Sequence, residues 1–174
     1  VGEPTNPNKL GEMIKIGRRG SISGSIMIYG SQGHVAYPHL SNNPVNTLIN
    51  ICKKLNEHKL DKGNKNFQPS NLEITSINVD NTATNVIPGS ARAQFNARFN
   101  NLHTSTSLKK KITSIVKILS KKNKCKFKID FHVSGESFLT RPNKTIHMAR
   151  NIIKKITKIT PVFSTTGGTS DARF

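Results

Sequence analysis

Ala91-Arg92-Ala93-Gln94-Phe95-Asn96-Ala97-Arg98-Phe99 alternates small or aromatic apolar residues with long polar ones. A period of two marks a strand with one face in a core and the other open. The core parity is mostly alanine, which leaves room for a helix to approach. The open parity ends at Arg98, whose guanidinium is therefore available on the face away from the helices, although a solvated strand arginine fits the same pattern.

The elements on either side complete the unit. Downstream, Thr104 or Ser105 can cap a helix whose buried stripe is Leu108, Ile112, Ile115, Val116 and Leu119, and a strand follows over Cys125, Phe127, Ile129, Phe131 and Val133. Upstream, Asn71 to Asp80 reads as a strand whose apolar parity slips between Ile74 and Ile77, the mark of a bulge or of a strand covered on both faces. Before it, Asp61 to Ser70 is polar and turn-rich and should be a surface loop. Asn43 stands at an N-cap and Pro44 at the first helical position, with Val45, Leu48, Ile49, Cys52 and Leu55 at helical spacing. Ser21 to Tyr29 alternates with Ile22, Ile26 and Ile28 on one side. Residues 20–133 thus run β-α-β-β-α-β, an α+β unit of two helices packed on a four-stranded antiparallel sheet.

The flanks differ in style. Met13 to Ile16 is a short extended segment. Ser134 to Pro142 is expected to be a polar loop, Ile146, Ala149, Ile152, Ile153 and Ile156 mark a third helix, and Pro161 to Ser164 reads as a strand feeding a Gly-rich turn. Helix, strand and Gly-rich turn suit an α/β domain of which residues 1–19 and 134–174 are two edges. Val1-Gly2-Glu3-Pro4 has neither an initiator Met nor a signal-peptide layout, and both ends look cut. The expectation is a piece of a longer polypeptide.

The net charge of +18 invites a nucleic-acid reading. The lysines, however, are scattered over polar faces among many Asn and Ile residues, the set that AT-rich codons specify. The same element order with positive charge also describes an RNA-recognition module, but such modules read bases with aromatics on their central strands. Here Phe95 and Phe99 share the helix-facing parity, which argues against nucleic acid. No apolar run approaches the ~20 residues needed to span a bilayer. Cys52 and Cys125 fall on apolar faces as buried free thiols, which suits a reducing cytoplasm. Met148 and Ile152 are assigned to the core, and His58, His103, His132 and His147 to the surface.

Chemistry concentrates in Gly33-His34-Val35-Ala36-Tyr37-Pro38-His39-Leu40, a Pro-broken turn with two imidazoles and a phenol. Turns on a rigid scaffold can aim such groups at a substrate. Surface histidines in an ordinary connection fit this stretch equally well when it is read alone. Its company includes Glu3, the Arg18-Arg19 pair, Asn85-Val86-Ile87-Pro88-Gly89 and Thr166-Gly167-Gly168-Thr169-Ser170-Asp171.

Taken in order, these motifs resemble the co-catalytic di-zinc aminoacylase/carboxypeptidase family nearly end to end. The resemblance implies that residues 20–133 are a lid and dimerisation domain. On that reading residues 1–19 are a catalytic-domain edge with one metal ligand, and residues 134–174 are the return into that domain. It implies two zinc ions, with cobalt as an alternative, of which Glu3 ligates one, while the other ligands and the general base fall outside the chain. His34 matches the donor that stabilises the oxyanion in the opposite subunit of a homodimer. Arg18, Ser21, Tyr37, Asn85, Arg98, Gly168 and Thr169 match substrate-contacting positions. Thr84 stands where some relatives carry a second Asn. The implied reaction is release of succinate from an N-succinyl diaminopimelate, an anionic small molecule, in the cytoplasm. A related aminoacylase or peptidase acting on another N-acyl amino acid is the alternative.

Overall fold

The structure is a computed structural model and describes Asn6 and residues 8–167. Its elements in chain order are β1 (Met13–Lys15), β2 (Gly17–Arg18), β3 (Gly20–Tyr29), β4 (Gly33–His34), α1 (Pro44–Glu57), β5 (Asn71–Asn78), β6 (Val86–Ile87), β7 (Ser90–Phe99), α2 (Ser105–Lys122), β8 (Lys126–Gly135), β9 (Phe138–Leu139), α3 (Lys144–Thr157) and β10 (Val162–Ser164). Four strands form one antiparallel sheet in the order β5-β7-β3-β8. Helices α1 and α2 cover one face of it, as the two periodicities predict.

The core is the parity read from the sequence. Ile22, Ile26 and Ile28 of β3 and Ala93, Phe95, Ala97 and Phe99 of β7 are at most 1% exposed, beneath Leu48 and Ile51 of α1 and Leu108, Ile112 and Val116 of α2. Each fully buried Ile, Leu or Phe side chain contributes about 1.5–3 kcal/mol of transfer free energy. Gly24 leaves the space that the Phe95 ring fills, because a Cβ there would lie within the ring's contact distance. The parity slip in β5 is a bulge between Ile74 and Ser76, with Thr75 the extra residue.

Both helices are capped as their sequences suggest. The Asn43 side chain accepts from Val45 N at 2.9 Å, ahead of Pro44. Thr104 and Ser107 form a reciprocal capping box on α2.

Several expectations are corrected. Ser134 to Pro142 is no plain loop, since β8 extends to Gly135 and β9 pairs antiparallel with β2, Gly17 opposite Leu139. The two flanks meet again where β1 and β10 pair in parallel. Met148 and Ile152 are 58% and 51% exposed and lie outside the core. Helical spacing identifies an apolar face of α3 but not a surface to cover it. His58 and His103 are only partly exposed: the Nε2 of His103 stands 3.2 Å from Asp61 Oδ2, and burial, then the charges of Lys111, Lys54 and His103, lowers the His58 pKa. The loop from Asp61 to Ser70 is pinned inward by Phe67, 3% exposed. Cys52 and Cys125 are buried free thiols as expected, and burial raises the Cys52 pKa. Phe95 and Phe99 face the helices, and Ser23, Ser25, Gln94 and Asn96 take the opposite parity. Among the described residues no helix is long and apolar enough to cross a membrane.

Candidate functional site

The residues singled out in the sequence fall into two clusters at the two ends of β3. At its start, Ser21 stands directly opposite Arg98 in the β3–β7 register, and Arg98 is in turn opposite Asn71 of β5. Arg18, Arg19 and Arg98, with Thr165 and Gly167 from the returning flank, line a pocket of about 240 Å³. Among the described residues its walls carry three guanidiniums and no carboxylate, a lining suited to an anion, since a guanidinium fork matches a carboxylate in bidentate geometry. Ser21 is 3% exposed and lies beneath this cluster rather than on its surface.

Arg19 is held from behind. Its Nη1 donates to Pro69 O and to Asn71 Oδ1, both at 3.0 Å. Burial and the nearby Arg98 charge lower its pKa, and Asp61 opposes them. Lys15 reaches the rim of the same turn, donating to the Thr166 carbonyl and, at 3.3 Å, to Thr166 Oγ1, with its pKa lowered by burial. A larger hollow of about 490 Å³ opens on the sheet beside Ser23, Ser25, Gln94 and Asn96. Its walls also include Phe95, Phe131, His132 and the carboxylate of Asp130, and no guanidinium, so the smaller arginine pocket is the better match for an anion.

At the far end of β3 the chain leaves as an arm. Gly30 N donates to Gly89 O at 2.9 Å, and Ser31 pairs with Asn42 to close the base. Only glycine fits at position 30, because a Cβ would collide with the Asn42 carbonyl. Beyond the base, β4 and β6 form a two-stranded ribbon with His34 opposite Val86, and Val35 N donates to Asn85 O at 3.0 Å. The ribbon thereby brings His34 and Asn85 together across 51 positions of sequence.

The arm's apolar side chains stand in solvent: Tyr37 is 57% exposed and Leu40 72%. The His34 and Tyr37 rings lie 6.1 Å apart, and Tyr37 and His39 meet edge-on at 6.4 Å. The Nδ1 of His34 accepts from Ala36 N at 3.1 Å. That bond assigns the proton of the neutral ring to Nε2, which leaves Nε2 as the ring's N–H donor.

The two clusters do not meet within one chain. Ser21 and Tyr29 are eight residues apart on a continuous strand, a span of about 27 Å at ~3.4 Å per residue. Glu3, Gly168 and Thr169 lie outside the described residues. Among the described residues no group of three or more His, Cys, Asp or Glu side chains is placed to hold a metal ion, so the implied zinc pair finds no ligand set there. Sequence reasoning singled out Arg19 only as half of the Arg18-Arg19 pair, without a site role, and missed Thr165 and the Asp61 hub behind them. Their signal is long-range hydrogen bonding, which no spacing rule reports.

Comparison with known proteins agrees with this architecture. Residues 16–124 match the model of a peptidase dimerisation domain. The whole chain aligns at 65% identity with succinyl-diaminopimelate desuccinylase of Pelagibacter ubique, covering 45% of that protein, and at 52% with the enzyme of the same name from Ehrlichia chaffeensis, again covering 45%. The chain therefore spans a little under half the length of these curated relatives. Among solved structures, a tripeptidase of Staphylococcus aureus superposes with a TM-score of 0.78 at 16% identity, over 94% of this chain and 42% of that one. Aminopeptidase PepT of Bacillus cereus gives 0.76 at 17%, over 95% and 43%. At such identities the likeness is one of fold.

Proposed function

The chain belongs to the family of peptidase dimerisation domains, and on that premise we propose that it is the lid-bearing part of a desuccinylase. The reaction is hydrolysis of N-succinyl-LL-2,6-diaminopimelate to succinate and LL-2,6-diaminopimelate, in lysine and diaminopimelate biosynthesis in the cytoplasm. The names of the relatives support this reading. Residues 20–133 are the lid through which a homodimer forms, and 1–19 and 134–174 belong to the catalytic domain. Two zinc ions, or cobalt in their place, would be held outside the described residues, with Glu3 as this chain's contribution.

The observation that carries the reading is the separation of the two clusters along β3. Arg18 and Arg98 offer guanidiniums to the succinyl carboxylate, with Ser21 beneath, and Gly168 and Thr169 are the further substrate-contacting residues of this reading. His34 offers an Nε2–H to the amide oxygen as charge develops on it, and Tyr37 and Asn85 travel with it. His34 lies on β4, beyond the end of β3 away from the anion pocket, and β3 alone spans about 27 Å between the two ends, so His34 is placed to serve the pocket of a second copy. The homodimer is then a catalytic requirement as well as a means of assembly.

Mixing inactive variants of the full-length protein tests this. His34→Ala and Arg98→Ala homodimers should each be nearly inactive, and a 1:1 subunit exchange should recover about a quarter of the wild-type rate, because half the dimers are mixed and each has one intact site. No recovery after proven exchange would place both residues in the site of one subunit.

A further inference from the structure

The arginine pocket rests on a loop whose own anchor is a buried carboxylate. Asp61, with its side chain 8% exposed, accepts at Oδ1 from Gly63 N at 2.6 Å, Asn100 Nδ2 at 2.8 Å and Ser70 N at 3.2 Å. Asn100 is fully buried and follows β7, two residues after Arg98. Its backbone N donates to Ser70 Oγ at 2.9 Å, and its Nδ2 also donates to Gln68 O at 3.1 Å. The segment from Asp61 to Ser70 is thus tied to itself and to the end of the strand that carries Arg98.

The outer side of the same loop carries two carbonyls that fix the pocket. Pro69 O receives Arg19 Nη1 at 3.0 Å, and Asn66 O receives Thr165 Oγ1 at 2.5 Å. Arg19 and Thr165 come from segments far apart in sequence, yet one loop sets both. Asp61 is not on the pocket wall, so it does not compete for an incoming anion. Its charge nevertheless favours the cation of Arg19, which burial and Arg98 both oppose.

We propose that Asp61 is the positioning residue of the arginine pocket: it holds the loop whose Pro69 and Asn66 carbonyls fix Arg19 and Thr165 for a terminal carboxylate. Selectivity for an acyl group ending in a carboxylate then depends on a residue that never touches it. The assignment of that carboxylate to a succinyl group rests on the function proposed above.

The test uses the full-length protein with Asp61→Asn and Ser70→Ala, two substrates and one ligand. The substrates are the N-succinyl amide and its analogue with a carboxamide in place of the terminal carboxylate; the ligand is succinate, titrated by calorimetry. For Asp61→Asn, kcat/KM for the succinyl substrate relative to the carboxamide should fall ~10-fold, through KM, and the succinate Kd should weaken ~10-fold. Ser70→Ala should move both in the same direction by ~3-fold, and it decides the matter if Asp61→Asn does not fold.

Equal losses on the two substrates, or unchanged selectivity and succinate binding in folded variants, would overturn the proposal and assign Asp61 a purely structural role. Failure of the wild type to bind succinate would overturn it as well. If the wild type binds succinate but does not cleave the succinyl amide, and the variants weaken that binding, the positioning role stands and the desuccinylase reading falls.

Discussion

The two ends of β3 are built in opposite ways. Around Ser21 the side chains are clamped: Arg19 has two acceptors, Thr165 one, and the loop behind them is closed by the buried Asp61 and Asn100. Around Tyr29 the backbone is fixed at Gly30 and Ser31, but the groups beyond it project into solvent on a ribbon of two residues per strand. A binding pocket gains from preorganisation, because its geometry is then set before the ligand arrives. A reaching arm gains from exposed apolar side chains such as Tyr37 and Leu40, which have surface to bury against another molecule.

The largest expected effect breaks the arm end alone. In the full-length protein, His34→Ala should lower kcat by ~10²–10³-fold with little change in KM, as loss of one oxyanion donor typically does; steady-state kinetics would show it. A large KM change instead would move His34 into substrate binding. The middle of the strand is a control that belongs to neither end: Ile26→Ala, at a fully buried site, should cost ~2–5 kcal/mol in denaturant unfolding without altering KM in the folded protein.

The pocket end should also reveal itself in acid. Burial by itself would raise the Asp61 pKa, but hydrogen bonds from the Ser70 hydroxyl, the Gly63 N–H, the Asn100 amide and the Ser70 N–H outweigh it and lower the value from 3.8 to about 2. A group depressed in the folded state stabilises above its unfolded pKa and loses that contribution as pH falls towards the folded one. Stability of about 2 kcal/mol should therefore disappear between about pH 4 and pH 2. Asp61→Asn should flatten the pH dependence of unfolding in that window. The smallest effect is expected for Arg98→Lys, which keeps the charge and loses the fork: KM should rise by ~3–10-fold with kcat nearly constant, against no such change for Arg92→Lys farther along β7.

The sheet was legible because its residues obey a local period. Ala91 to Phe99 carries it without interruption, and even the slip at Thr75 appears as a break in alternation before it appears as a bulge. The arm was legible in part: Pro38, Gly33 and the histidines mark a turn, and its pairing with Asn85 to Ile87 needed coordinates. The Asp61 hub was invisible, since Asn100 lies 39 positions away and an Asp beside Gly63 reads as an ordinary turn residue. The α3 stripe shows the converse limit. Ile152 and Ile156 keep helical spacing and are still exposed, because amphipathicity identifies a face and not its neighbour.

Because Gly17–Arg18 and Phe138–Leu139 run side by side, the segment between them begins and ends at points ~5 Å apart. A module mounted on so narrow a stalk can be transplanted as a cassette, since the recipient has to match a single joint. Exchange of reaching arms between enzymes of different selectivity would then need no redesign of either body.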